Sequence, residues 1–440
     1  MSSEWPITTI GDLAADDDGA IAIGPFGSSM KADVYTATGV PVVRGNNLKG
    51  QPGFYGDLVF VPKEVAARFA RCVVRPGDLV FPHRGAIGEV GLVTSQGYDE
   101  WMLSTSMMKL RTHPEKLDPH FAFYYFRSPV GRHQLLRNAS QVGTPGISQP
   151  LASLRACEIV LPPLRKQREI VEVLQALDHK IEQNHRTGRA LEGLARATFK
   201  AWFVDFEPVK AKAAGQTSFP GMPPAVFAAL PDRLTDSPLG PVPQGWEGGT
   251  MGEIGQQRRE QAIPGDVNAE TPYVGLEHMP RRDLTLSTWG TAASVTSSKF
   301  RFHRGDILFG KLRPYFHKVG PAPVDGVCST DIVVLHPTRP EYAAWLLMLV
   351  SGDDFVAHTD RSSAGTKMPR TNWKDMAAFP VALPPPPVAA AYQGQVGPML
   401  DMIRVGIHDS SQLFALRDYL LPQLLNGRVR VRPSLAEAKA

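Results

Sequence analysis

Cysteine is nearly absent: three residues in 440, Cys72, Cys157 and Cys328, at no spacing that a metal site or a disulfide framework uses. That points to a reducing, cytoplasmic compartment. Long apolar runs are missing too. The longest candidate, Tyr342–Val350, is far too short for a membrane span. The polar, acidic start does not read as a secretory leader. Charge of one sign is scarce: 47 Lys and Arg stand against 43 Asp and Glu, so neither half is broadly basic. Catalytic signatures are lacking as well. There is no Walker A loop, no Gly-rich dinucleotide fingerprint after a strand, and no Asn-Pro-Pro-aromatic or Asp-Pro-Pro-aromatic motif of adenine methylation. These absences favour a binding protein over an enzyme, with no metal or cofactor of its own.

What the chain has is a repeat. Glu4–Ala14 (EWPITTIGDLA) matches Gly245–Gly255 (GWEGGTMGEIG), aligning Trp5 with Trp246 and Gly11-Asp12-Leu13 with Gly252-Glu253-Ile254. Val73–Phe81 (VVRPGDLVF) matches Phe300–Phe309 (FRFHRGDILF), and Leu103–Leu110 (LSTSMMKL) matches Cys328–Leu335 (CSTDIVVL). Val142–Ser148 (VGTPGIS) answers Ala364–Arg370 (AGTKMPR), and Leu161 and Leu383 each open a Leu-Pro-Pro helix start. The offsets are 241, 228, 225, 222 and 222. They fall without reversal, which marks a collinear internal duplication. Each copy alternates short β-rich runs with Gly, Pro and Asn turns, then adds a helical stretch, His120–Arg137 or Glu341–Thr359. The expectation is two similar mixed units of α+β class.

A long helix follows each unit. Ile170, Leu174, Leu177, Ile181, Asn184, Gly188, Leu191, Ala195, Thr198 and Trp202 step by four and three, the seam of a coiled coil. Val396, Leu400, Ile403, Ile407, Ser410 and Phe414 repeat the pattern, and Leu413, Leu416, Leu420 and Leu424 widen the apolar stripe. Pro162-Pro163 and Pro384–Pro387 suit helix starts, and Gly427 suits a helix end. Neither seam can stay exposed, so the spacing predicts an antiparallel pair of helices with a pseudo-two-fold repeat. About 38 residues at about 1.5 Å each make a rod of roughly 57 Å. Residues 204–244, rich in Pro, Gly and Ala, read as a connector with little regular structure. The divisions are a first globular unit (1–162), the first helix (163–203), the connector (204–244), a second unit (245–385), the second helix (386–426) and a tail (427–440).

Basic residues cluster locally. Lys299–Lys318 (KFRFHRGDILFGKLRPYFHK) holds six Lys or Arg, one acid and interleaved aromatics, and Arg361–Lys374 adds four cations with no acid. The first copy has Val73–Gly88 and Gly131–Ser148 at the matching places. Cations in Gly-bearing loops beside aromatics fit phosphate contact and base-edge readout of DNA. The candidate contacts are Arg84, Gly85, Lys311, Arg313 and Tyr315, then Thr144, Thr366 and Lys367, with Arg44 and Asn46 weaker.

At Leu161–Trp246 and the paired GDLVF and GDILF elements, the chain resembles the specificity (S) subunits of Type I restriction-modification systems. The resemblance implies two target recognition domains, each reading one half of a split, asymmetric site in double-stranded DNA, with the helical pair setting the gap. It implies docking of two methyltransferase (M) subunits and of restriction-translocation (R) subunits. S-adenosylmethionine, ATP and magnesium would then belong to those partners, as would the pocket for a flipped adenine. Two other readings stay open: a non-enzymatic coiled-coil adaptor with two ligand domains, and the detached recognition part of a fused methyltransferase-nuclease.

Overall fold

The repeated motifs are built turns. In a computed structural model, which describes residues 5–25, 27, 30, 32–140, 144–263, 265, 267–363, 365 and 368–431, the glycines of RPGD and HRGD both sit at positive φ, Gly77 at 94° and Gly305 at 92°. That conformation favours a residue without a Cβ. The aspartate that follows is buried and folds back on its own turn. Asp78 accepts from the Arg75 amide at 3.0 Å, and Asp306 from the His303 amide at 2.8 Å. Each also holds an arginine: Arg111 on Asp78 through two nitrogens at 2.8 Å, Arg258 on Asp306 at 2.8 and 3.3 Å. The Gly-acid pair nearer each start has another task. Thr9 and Thr250 cap short 3-10 turns, bonding with Asp12 and Glu253. A Cβ on Gly11 would lie 3.3 Å from the Arg155 carbonyl, and one on Gly252 3.0 Å from the Ala377 side chain. Both glycines allow a short helix to pack closely.

Two compact units result, Met1–His179 with Leu413–Ala440, and Lys180–Gln412. The first holds a four-stranded antiparallel sheet in the order Ile21–Ile23, Met107–Leu110, Leu79–Pro82, Gly91–Leu92. A second sheet runs Val59–Val61, Val40–Val43, Trp101–Leu103, Val73–Val74, with Val42 and Met102 in parallel register. The other unit repeats both. Its four strands are Gly255–Arg258, Ile332–Pro337, Ile307–Gly310 and Val319–Pro321. Its second sheet runs Gly290–Thr291, Pro272–Val274, Gly326–Cys328, Lys299–Phe302, with Gln261–Ala262 added at the edge and Tyr273 parallel to Val327. Strand order and the parallel pair therefore recur. Each unit also clamps its entering strand to the strand before its long helix, Ile7–Thr9 on Glu158–Val160 and Glu247–Thr250 on Pro380–Leu383. The helical stretches break in two: Pro119–Arg127 and Pro129–Leu136, Ala343–Val350 and Asp353–Arg361. Ser128 and Ser351 are buried at the breaks, each bonding a carbonyl three residues back.

The long helices span Leu164–Phe199, with a π-helical turn Lys200–Val204 after it, and Pro386–Leu425. On the first, Ile170, Leu174, Ile181, Gly188, Ala195 and Trp202 are buried, and Leu177, Asn184, Leu191 and Thr198 half-buried. On the second, Val396, Ile403, Ile407 and Ser410 are buried and Leu400 half-buried. Pairing is antiparallel within each unit. In the first, Ile170, Val171 and Leu174 share a core with Leu421, Leu424 and Leu425, and Arg417 Nη1 meets Asp178 Oδ1 at 2.8 Å. In the second, Asn184 donates to Asp409 at 2.7 Å and to Ser410 at 3.2 Å, and the Tyr392 hydroxyl to the Ala195 carbonyl at 3.0 Å. Gly427, at φ 69°, follows the second helix as its cap.

Two expectations are corrected. Leu416 is not on the stripe; it is 45% exposed, and the seam continues from Phe414 to the buried Arg417, then Leu421 and Leu424. Residues 204–244 are not an unstructured connector. They form helices Glu207–Ala213 and Pro224–Ala229 and a short hairpin, Leu234–Thr235 with Val242–Pro243. Phe206, Val209, Met222, Phe227, Leu230 and Val242 lie in the core of the second unit with Trp246. The prolines that suggested a loose linker begin helices and end turns there.

Candidate nucleic-acid interface

In each unit, three loops meet beyond the ends of the central strands. Their meeting begins with the strand that follows the Gly-Asp turn. In the first unit that strand, Leu79–Pro82, runs into His83, Arg84 and Gly85. The Ile147 amide donates to the His83 carbonyl and the Gly85 amide to the Pro145 carbonyl, both at 2.9 Å. Gly85 is at φ 79°. Arg84 is therefore held between two backbone bonds with its side chain exposed. Among the described residues its guanidinium has no acidic partner. His83 points inward, its Nε2 3.2 Å from the Thr105 carbonyl. Burial keeps its imidazole below the usual pKa, so it is a neutral prop rather than a cation. The third loop follows Val40–Val43. Asn47, fully buried, accepts from the Arg44 amide at 3.0 Å and donates to the Tyr55 and Asp57 carbonyls. Arg44 also donates to the Asp57 carbonyl at 2.7 Å, which makes it part of this knit, while Asn46 is exposed. A Cβ on Gly45 would touch Ala86 and Pro82, so the two loops abut.

The second unit builds the same knot from other residues. Ile307–Gly310 runs into Lys311, Leu312 and Arg313. The Thr371 amide donates to the Lys311 carbonyl at 3.1 Å, and the Arg313 amide to the Pro369 carbonyl at 2.8 Å. Arg313 takes Gly85's place, and takes its positive φ as well, 51°. A 3-10 turn, Pro314–Phe316, follows and ends at His317, again left-handed at 53°. Tyr315 projects from it, 48% exposed. Lys311 and Arg313 are half-buried and have no acidic partner among the described residues. After Pro272–Val274, His278 Nδ1 accepts from the Gly275 amide at 2.9 Å, as Asn47 does from Arg44. Lys318 donates to the Leu276 carbonyl, and a hollow of about 240 Å³ opens among Leu276, Leu312, Arg313, Phe316, Lys318 and Met368. Burial and nearby Arg281 lower the Lys318 pKa.

This backbone pairing moves one part of the repeat. Pro145 corresponds to Pro369, an offset of 224 where the sequence match used 222. Thr144, exposed, thus answers Met368 rather than Thr366. Thr366 and Lys367 lie outside the described residues. Of the remaining expected contacts, the structure gathers Arg44, Asn46, Arg84, Gly85 and Thr144 around one knot and Lys311, Arg313 and Tyr315 around the other. Sequence reading missed Gly275–His278, because VVRGNN and YVGLEH share almost no residues. It also missed Arg281, whose guanidinium carbon lies 3.9 Å from the Phe316 ring centroid. The Arg281-Arg282 pair was its only signal.

Comparison with known proteins agrees with this architecture. Residues 4–192 match the Type I restriction modification DNA specificity domain. The chain is similar to the HindI specificity subunit of Haemophilus influenzae, 22% identical over 82% of this chain and 88% of that protein. It is similar to the MjaIX specificity subunit of Methanocaldococcus jannaschii, 23% identical over 98% and 95%. The crystal structure of an S subunit from M. genitalium shares its fold, with a TM-score of 0.55 at 15% identity and 96% of each chain covered. That domain matches the first part of the chain, and the relatives similar to it along its length are Type I restriction enzyme specificity subunits.

Proposed function

We propose that this chain is the DNA sequence-recognition subunit of a Type I restriction-modification complex. Each unit reads one half of a bipartite site in double-stranded DNA, and the helical pair sets the unread gap. The observation that carries this is the recurrence of one loop knot on one topology with different side chains. A common frame positions the loops, while Arg84 beside Gly85 in one unit and Lys311, Arg313 and Tyr315 in the other present different chemistry to bases. Different readers imply different half-sites, hence an asymmetric site.

Affinity would come chiefly from cations against phosphates, with counterion release and a steep loss of binding as salt rises. Discrimination would come from arginine forks on guanine edges, about 1–3 kcal/mol each. Half-sites about one helical turn apart, roughly 34 Å, present the same face of the duplex. The chain supplies no chemistry in this reading. Two M subunits methylate adenine with S-adenosylmethionine, and R subunits use ATP and magnesium. Among the described residues no helix is long and apolar enough to cross a membrane.

The test is to express the chain with its methyltransferase subunits and map N6-methyladenine across a genome. One split, asymmetric motif that disappears without this chain is expected. Methylation that persists unchanged without it would leave the adaptor reading instead.

A further inference from the structure

Resting on that reading, we propose that Arg281 reads a guanine in the half-site recognised by the second unit, with Phe316 as the platform that aims it. Arg281 is exposed, and among the described residues it has no acidic partner. Its neighbours are committed elsewhere. Arg282 bonds Asp353 at 2.8 Å, and Arg370 bonds Asp331 at 3.2 Å. Arg281 instead lies over the Phe316 ring, 3.9 Å from its centroid. An arginine in such a stack has one face covered and its N–H edge free. That is the group and the edge that pair with guanine O6 and N7.

The platform is rigid. Phe316 closes a 3-10 turn bracketed by left-handed Arg313 and His317. The His317 amide donates to the Pro314 carbonyl at 2.7 Å, and the Arg282 amide to the His317 carbonyl at 2.9 Å. This last bond ties the segment bearing Arg281 to the turn bearing Phe316. The adjoining hollow is walled chiefly by Leu276, Leu312, Phe316 and Met368, with Arg313 also in its lining and Lys318 already engaged by a backbone carbonyl. Apolar walls desolvate a phosphate without repayment but accept the face of a base or a thymine methyl beside the guanine that Arg281 reads. Base contact is therefore favoured over backbone contact. The matching loop of the first unit, Gly85–Val90, has no aromatic residue, so this device belongs to one half-site alone.

The test uses the full chain in complex with its methyltransferase subunits, bound to a DNA library that varies every position of the methylated site. Arg281→Ala should relax one guanine position in one half-site, by roughly 5- to 150-fold in preference. The other half-site should be unchanged. Arg281→Lys keeps the charge and the stem but not the fork, and should relax the same position; it carries the test should the alanine variant fail to fold. Phe316→Leu, which removes the platform, should weaken that preference in part. Unchanged preference at every position in both Arg281 variants overturns the proposal. So does a uniform loss of affinity across sequences with a shallower salt dependence, which would make Arg281 a phosphate contact. A wild-type complex with no sequence preference would instead bring down the DNA-recognition reading, and this inference with it.

Discussion

Where the first unit sets Asp178 against Arg417, the second unit, taken through the repeat offset of 222, has Leu400 and Ala195. The surroundings differ in the same sense. Tyr124 donates to Asp178 at 2.8 Å, and Arg127 stands 3.6 Å from it. Aligned on the buried serines Ser128 and Ser351, their counterparts are Leu347 and Val350, both buried. At this position one helix crossing is thus held by an ionic cluster and the other by carbon side chains. The second unit keeps its polar bonds elsewhere, from Asn184 to Asp409 and Ser410 and from Tyr392 to the Ala195 carbonyl. Burial, with Arg417 beside it, holds the Arg127 guanidinium below its ordinary pKa, a sign of how tightly the charges are confined. A buried ion pair adds little net stability compared with an apolar pair of similar volume, because desolvation offsets the attraction. What it adds is intolerance. Any other partner or register leaves a charge buried alone, whereas leucine and alanine accept many neighbours. The two crossings of one duplicated fold therefore differ in selectivity more than in strength.

The largest expected effect comes from breaking the cluster. Asp178→Leu should remove about 3–5 kcal/mol of stability, because the mostly buried Arg127 loses its carboxylate and Arg417 keeps only Asp418, 2.9 Å away. Installing the second unit's whole set, Tyr124→Leu, Arg127→Val, Asp178→Leu and Arg417→Ala together, should recover most of that loss. Urea denaturation of the full chain measures both. A fourfold variant no more stable than Asp178→Leu alone would mean the cluster is a stabilising feature in its own right. A smaller effect sharpens the comparison where the units agree. Gly77→Ala and Gly305→Ala meet no neighbouring atom within 4 Å, so only the positive φ resists them, at about 1–2 kcal/mol each. Equal shifts in the two variants would establish the Gly-Asp turn as shared framework; a large inequality would show that one turn has taken on another task.

These contrasts also explain what could be read from the chain alone. The duplication was legible because its markers are turns and caps whose residues have few substitutes: Gly77 and Gly305, Asp78 and Asp306, Thr9 and Thr250. The seams were legible because burial at period 3.5 leaves an apolar stripe. Arg417 does not show as a seam residue because it is charged and its partner Asp178 lies 239 residues away. The connector is illegible in composition because prolines that start helices, such as Pro208 and Pro224, look like prolines that prevent them. The loop knots were half legible. Arg84, Lys311 and Arg313 stand in a motif-anchored loop, but Gly275–His278 does the work of Arg44–Asn47 with a histidine in place of an asparagine. Only the backbone reveals that equivalence.

The decisive experiment is to map methylated sites for two single variants, Arg84→Ala and Arg313→Ala, each in complex with the methyltransferase subunits. Two independent readers on a common frame should give complementary results. Arg84→Ala should blur one half-site and leave the other intact, and Arg313→Ala should do the reverse, with the gap unchanged in both. If both variants degraded the same half-site, or both halves equally, the two units would not be separate readers, and the division of labour inferred from the repeated loop knot would be wrong.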